Sequence, residues 1–122
     1  MLTPDKKRFA NASRYIAAAP SEKAKVFTNT TLGAVATNAR LTKSQATKVA
    51  QMVQDGFARA INPIHTMYDG DTTFCIATGE VECDLTTVGS IAAEVMVQAI
   101  LNGIKAATSL FGIPAYRDIK AQ

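Results

Sequence analysis

The chain has 122 residues, 48% of them hydrophobic and 19% charged, a balance that suits one folded domain or one piece of a larger one and excludes a disordered chain. A chain of this size buries roughly two-thirds of its unfolded surface, so no disulfide or metal staple is required. Residues 1–29 hold six basic and two acidic side chains, whereas residues 30–122 hold seven and eight, so the basic excess is confined to a leader. A near-neutral body of this kind argues against a nucleic-acid partner.

Residues 1–29 read as a leader, with a helix at about Lys6–Ala19 stopped by Pro20 and a polar linker over Ser21–Lys25. Residues 30–122 read as the folded body. Thr30–Thr37, rich in β-branched and small residues, predicts a buried strand, and Asn38–Leu41 a turn. Thr42-Lys43-Ser44-Gln45 is a capping box that opens a helix, whose residues Ala46, Val49, Ala50, Val53, Phe57, Ala60 and Ile61 form one apolar face. Asn62-Pro63 ends it. A loop over Ile64–Asp71 leads to a second strand at Thr72–Thr78, closed by Gly79. A second helix follows, from about Thr87 to Leu110, apolar nearly all round and so expected to be buried between layers, with Gly112 and Pro114 as its stop. The longest apolar stretch, Val88–Leu101, contains Glu94 and Gln98, short of the roughly 18 uncharged residues a membrane span needs. The first 15 residues hold Asp5, Lys6, Lys7 and Arg8 with no apolar run behind them, unlike a secretory signal. Cys75 and Cys83, without framework spacing, suit a reducing cytoplasm.

The order strand, helix, strand, helix makes the two strands parallel if they are neighbours. Their N-terminal ends then share one sheet edge, where Thr30 meets Asp69 and Asp71 from about forty residues away. Thr30 in Asn29-Thr30-Thr31 has two readings. It is a polar strand entry, or it is a hydroxyl nucleophile released by self-cleavage so that its own α-amine serves as base. Tyr68-Asp69-Gly70-Asp71 is likewise either a solvated tight turn or a carboxylate pair that orients a nucleophile. Its neighbours Thr72, Thr73 and Phe74 do not complete a calcium loop. One histidine, His65, and two cysteines cannot build the usual structural zinc site. His65 is expected to be structural, and its removal to leave activity intact. Cys75, mid-strand, and Cys83, in an acidic turn, do not suit a thiolate nucleophile. Gly33 stands without a nucleotide-binding pattern.

Taken together, Asn29-Thr30-Thr31-Leu32-Gly33-Ala34-Val35-Ala36-Thr37-Asn38, Ala58 through Thr72 with Asn62-Pro63-Ile64-His65-Thr66 and Asp69-Gly70-Asp71-Thr72, and Phe74 with Ala77-Thr78-Gly79 closely resemble the C-terminal part of the L-aminopeptidase/D-esterase family, which includes the nylon-oligomer hydrolases. The resemblance runs from about Thr28 to Phe111. It implies an autoprocessing amide hydrolase, cut before a Thr or Ser into α and β parts that stay together in a four-layer α/β/β/α sandwich and assemble into oligomers. This chain would be the β-subunit region. Thr30 matches the nucleophile, Asn29 the residue before the scissile bond, and Asp69 and Asp71 the acidic pair. Thr31 is the nearest rival nucleophile. No cofactor is implied. The family's α portion supplies a Lys and an Asn to the site, and Lys6, Lys7, Lys23 and Lys25 do not match that lysine. The α portion is therefore the expected partner, in the same precursor or as a separate chain, with peptide or amide as substrate and no membrane. A different class of function also fits: a non-enzymatic α/β assembly module, or inactive remnant, whose apolar helix docks another protein.

Overall fold

The computed structural model describes residues 3, 5, 7–18 and 30–119. The linker Ser21–Lys25 and Asn29 lie outside them. Helix α1 covers Ala12–Ala18, starting later than the expected Lys6. Its first turn is set by Asn11, whose side chain accepts the Arg14 N–H at 3.0 Å. Upstream, Asp5 takes the Lys7 N–H and the Thr3 hydroxyl, which turns the chain rather than extending a helix.

Strand β1 is Leu32–Ala39, helix α2 Lys43–Ala60, strand β2 Thr72–Val81 and helix α3 Leu85–Ala106. The two strands pair in parallel, with Leu32 opposite Thr72 and Ala36 opposite Ile76. A parallel pair needs a long crossover, and α2 is that crossover. The segment is therefore α/β, a two-stranded parallel sheet covered by helices on one side.

The Thr42 capping box is present in full: the Gln45 N–H reaches the Thr42 hydroxyl at 3.3 Å, and the Thr42 N–H reaches the Gln45 side chain at 2.8 Å. α2 ends at Ala60, ahead of a cis Asn62–Pro63 peptide. The expected apolar face points inward, with Val49, Val53 and Phe57 fully buried against Val35, Ala92 and Met96. Burying each such side chain contributes roughly 1.5–3 kcal/mol, so this cluster holds the sheet to both helices.

Several element boundaries differ from expectation. β1 begins at Leu32 and continues through Asn38 to Ala39, and only one of its faces is buried. β2 runs past Gly79 to Val81, because Gly79 at φ 82° absorbs a register shift that brings Ala39 opposite Val81. Arg40 then joins the strands, its N–H donating to the Val81 carbonyl at 2.7 Å. α3 starts two residues early, since Asp84 caps it by accepting the Thr87 N–H at 2.8 Å. It stops at Ala106, well before Gly112, where Arg117 donates to the carbonyls of Lys105 and Ala106 at 3.2 and 2.8 Å. Leu110 and Ile113 form a separate tight turn through Phe111 and Gly112, both at positive φ.

Nor is α3 enclosed between layers. Its Gly89, Ala92, Ala93 and Met96 side packs on α2, while Ile91, Val95 and Ile104 are exposed. By length and composition alone α3 is apolar enough to cross a membrane.

Glycines let the two helices approach. A methyl group added at Gly56 would lie 2.5 Å from the Ala93 carbonyl oxygen, and one at Gly89 would meet Met52. Backbone cannot yield as a side-chain tip can, so the clash outweighs the roughly 1 kcal/mol of helix propensity that alanine offers over glycine. Gly56→Ala should therefore destabilise the chain by about 1–3 kcal/mol in urea unfolding. A stabilised variant would show that α2 and α3 are not packed this closely.

Candidate functional site

The parallel pairing places the starts of both strands at one edge. Just ahead of β1, the Thr31 N–H donates to Asp71 Oδ1 at 2.9 Å, and the Thr72 N–H returns a bond to the Thr31 carbonyl at 3.0 Å. Residues forty positions apart are thus joined by a carboxylate and a backbone bond.

Asp71 is the centre of this edge. Its side chain is 3% exposed, and its second oxygen, Oδ2, accepts both the His65 N–H at 3.2 Å and His65 Nδ1 at 2.8 Å. Burial alone would push this carboxyl up. The donors from the Thr31 and His65 backbones, the imidazole and the Thr31 side chain outweigh it and hold the carboxyl below its ordinary value. With Asp71 ionised, Nδ1 must be the donor, on a His65 side chain that is 39% exposed.

Asp69 is engaged differently. Its Oδ2 accepts the Thr66 N–H at 2.9 Å and the Thr66 hydroxyl at 2.5 Å, closing the turn that also holds the Asp69 N–H on the Thr66 carbonyl. The two acids are therefore on one loop, but Asp71 alone is bonded to the β1 side.

Thr30 is exposed and its hydroxyl stands over Gly70: a methyl group added there would come within 3.0 Å of Thr30 Oγ1. Thr31 is half-buried, with its backbone and side chain turned to Asp71. Side chains alternate along a strand, so Thr30 shares the open face with Leu32, Ala34 and Ala36, opposite the helices. Phe74 and Ile76 of β2 lie on that face too. The structure thus brings Thr30, Thr31, Gly70, Asp71 and His65 together, with Asp69 in the adjoining turn. Asn29 lies outside the described residues.

Other candidates fall elsewhere. Cys75 points toward α2, where burial pushes its thiol up, and Cys83 is exposed near the far end of β2. Among the described residues no group of three or more His, Cys, Asp or Glu side chains is arranged to hold a metal ion. His65 is the residue that sequence reasoning passed over. A lone histidine in a loop carries no periodic signal, and its contact with Asp71 depends on a backbone at φ 56° that no spacing rule announces.

A sheet edge built this way sets a threonine at the head of one parallel strand beside a buried carboxylate at the head of the other. The profile of Peptidase family S58 matches residues 5–116, and the chain belongs to this family, that of the L-aminopeptidases and D-esterases. It is 42% identical over 103 residues to an uncharacterized aminopeptidase of Mycobacterium leprae, covering 72% of this chain and 28% of that protein. An uncharacterized aminopeptidase of Mycobacterium tuberculosis is 38% identical over 106 residues, covering 75% of this chain and 31% of its own length. A 6-aminohexanoate-oligomer endohydrolase of a Kocuria strain is 34% identical over 90 residues, covering 63% and 25%. The chain thus spans about a quarter to a third of the length of these curated relatives.

The depressed Asp71 carboxyl fixes a pH dependence. A folded-state value below the unfolded one stabilises the fold above the ordinary carboxylate range and loses that contribution as pH falls toward the folded value. Asp71→Asn should therefore unfold at lower urea than the parent at about pH 7, and the gap should narrow at about pH 3. A gap independent of pH would mean that Asp71 is not ionised in the fold.

Proposed function

We propose that the chain is the nucleophile-bearing β region of an autoprocessing amide hydrolase, with Thr30 as the attacking residue. The observation that carries this reading is the placement of the Thr30 hydroxyl on the open face beside Gly70, while Asp71 grips the peptide that follows it.

Maturation begins with attack of Thr30 Oγ on the Asn29 carbonyl. The Asn29–Thr30 amide bond breaks as an ester forms, which frees the Thr30 α-amine, and water then hydrolyses the ester to release the Asn29 carboxylate and restore the Thr30 hydroxyl. In turnover that amine takes the hydroxyl proton as Oγ bonds to the substrate carbonyl. The substrate C–N bond then breaks, the proton leaves with the departing amine, and water releases the acyl group. Asp71 holds the Thr30–Thr31 peptide in place, and Asp69 shapes the turn that carries Asp71. Thr31 is disfavoured as nucleophile because its side chain faces the acid rather than the open side.

An α region would complete the site. Leu32 is 70% exposed and Ile76 61%, with Phe74 between them, so the face that carries Thr30 is an apolar layer ready for a second sheet. Covering it would give the four-layer sandwich, supply further oxyanion donors and enclose an amide or peptide substrate. Loss of one such donor typically costs about 3 kcal/mol in the transition state, so this chain without its α region should be weak or inactive. Homo-oligomers of such αβ units in the cytoplasm are the assembly and location we propose.

An assembly module with no chemistry would dock its partner through the apolar helix α3, whose Ile91, Val95 and Ile104 are exposed, and would have no need of Gly70 beneath a hydroxyl. Intact mass separates the two readings. In the α-complemented protein a product beginning at Thr30 is expected, and Thr30→Ala should abolish both this product and amide hydrolysis. A chain that stays uncut over a wide pH range, or a Thr30→Ala variant that keeps hydrolysing, would refute the enzyme. Gly70→Ala, at a position without a positive φ, should crowd the Thr30 hydroxyl and slow cleavage while leaving the urea midpoint nearly unchanged. Unaltered cleavage in this variant would place the reacting oxygen elsewhere.

A further inference from the structure

We infer that His65 is a positioning residue that works through Asp71: its imidazole and backbone N–H saturate one carboxylate oxygen, leaving the other aimed at the first peptide of β1. The inference rests on the hydrolase reading for its consequence, but its structural half stands on geometry.

Three observations support it. Both His65 donors fall on Oδ2, at 2.8 and 3.2 Å, while Oδ1 accepts the Thr31 N–H at 2.9 Å. This division of labour fixes the rotation of the carboxylate, which a single donor would not. Second, the His65 backbone is at φ 56°, a conformation that costs a non-glycine residue free energy and that turns its N–H and ring toward the same oxygen. Third, the ring is seated 6.2 Å from Phe57, centroid to centroid, so the core helix sets the orientation of the imidazole.

The surroundings leave His65 as the group that governs Asp71. Among the described residues the start of β1 brings Thr30 and Thr31, and α2 brings Phe57 beneath the His65 ring. Along the loop itself, Asp69 is turned onto Thr66, and Tyr68 is exposed. A buried carboxylate that loses a charge-assisted donor becomes easier to protonate, and its hold on the Thr31 N–H weakens in turn. Thr30 then loses the fixed peptide on its C-terminal side. The expectation from sequence that His65 can be removed without effect is revised on this geometry.

The positive φ decides which variants are informative. His65→Gly removes the ring but keeps the backbone and its N–H, where alanine would add strain. His65→Asn also tolerates positive φ, and its side-chain amide can donate near the place of Nδ1. Carboxyl 13C NMR on the full chain should show Asp71 titrating at higher pH in His65→Gly than in the parent, with His65→Asn returning toward the parent. In the α-complemented protein, self-cleavage followed by intact mass should slow about tenfold in His65→Gly, the size of effect expected from losing one hydrogen bond to a charged group. Its acid limb should move to higher pH, and His65→Asn should recover both rate and profile.

An Asp71 titration unchanged in His65→Gly overturns the inference. So does a cleavage profile unchanged in His65→Gly while Thr30→Ala is inert, or an Asn variant that recovers nothing, which would point to ring packing on Phe57 instead. If the parent protein does not cleave at all, the hydrolase reading fails, and the Asp71 titration still decides whether His65 governs the carboxylate.

Discussion

The site depends on one buried carboxylate that is kept charged. Taking Asp71 out of water is costly, and an unpaired charge there would have to be neutralised. Three hydrogen bonds from two separate stretches of chain prevent this: Thr31 at the head of β1, and His65 through both its backbone and its ring. The same bonds that satisfy the charge also lock the loop before β2 to the residues before β1. Fold and site are therefore coupled at this edge, because the register of the strands determines whether Asp71 can reach Thr31 at all.

That register is maintained from below. Val35 of β1, Val49, Val53 and Phe57 of α2, and Ala92 and Met96 of α3 make one small core, and close approach within it depends on missing side chains. A methyl group at Gly33 would strike Met96 and Phe57 at 2.8 Å. Phe57 can thus lie directly under β1 and, at its other side, carry the His65 ring. The helix that connects the strands is also what orients the edge, so packing faults in α2 should propagate to the loop rather than stay in the core. The opposite face of the sheet has no such support within the described residues, where Leu32, Phe74 and Ile76 stand exposed.

Much of this was legible in the sequence where the signal is local. A capping box needs four consecutive residues, and the α2 face repeats every three or four, so both were read directly from Thr42–Ile61. The parallel pairing followed from connectivity, since a strand, a helix and a strand leave few alternatives. What escaped was set by contacts distant in the chain. The end of α3 is determined by Arg117, eleven and twelve residues beyond the carbonyls it takes. The length of β2 depends on Gly79 accepting a positive φ and on Arg40 bonding across to Val81. An apolar circumference on α3 was read as enclosure, but composition tells only what a helix would tolerate as cover, and here α2 covers one side. His65 escaped for the same reason: its partner is chosen by loop geometry and not by spacing.

The choice between Thr30 and Thr31 shows how strictly alternation governs such an edge. Adjacent residues of an extended chain face opposite ways, so a hydroxyl on the helix side can meet Asp71 and one on the open side can meet a substrate, but neither can do both. Thr31 is committed to the first task by its N–H and side chain. On the proposed reading Thr30, exposed above Gly70, takes the second. A slip of one residue in β1 would exchange these roles and set Leu32 toward the acid. Such a slip would also turn Val35 out of the core and bring Ala34 and Ala36 in, leaving space around Phe57. The hydrophobic pattern that builds the core is therefore the same device that selects which threonine faces outward.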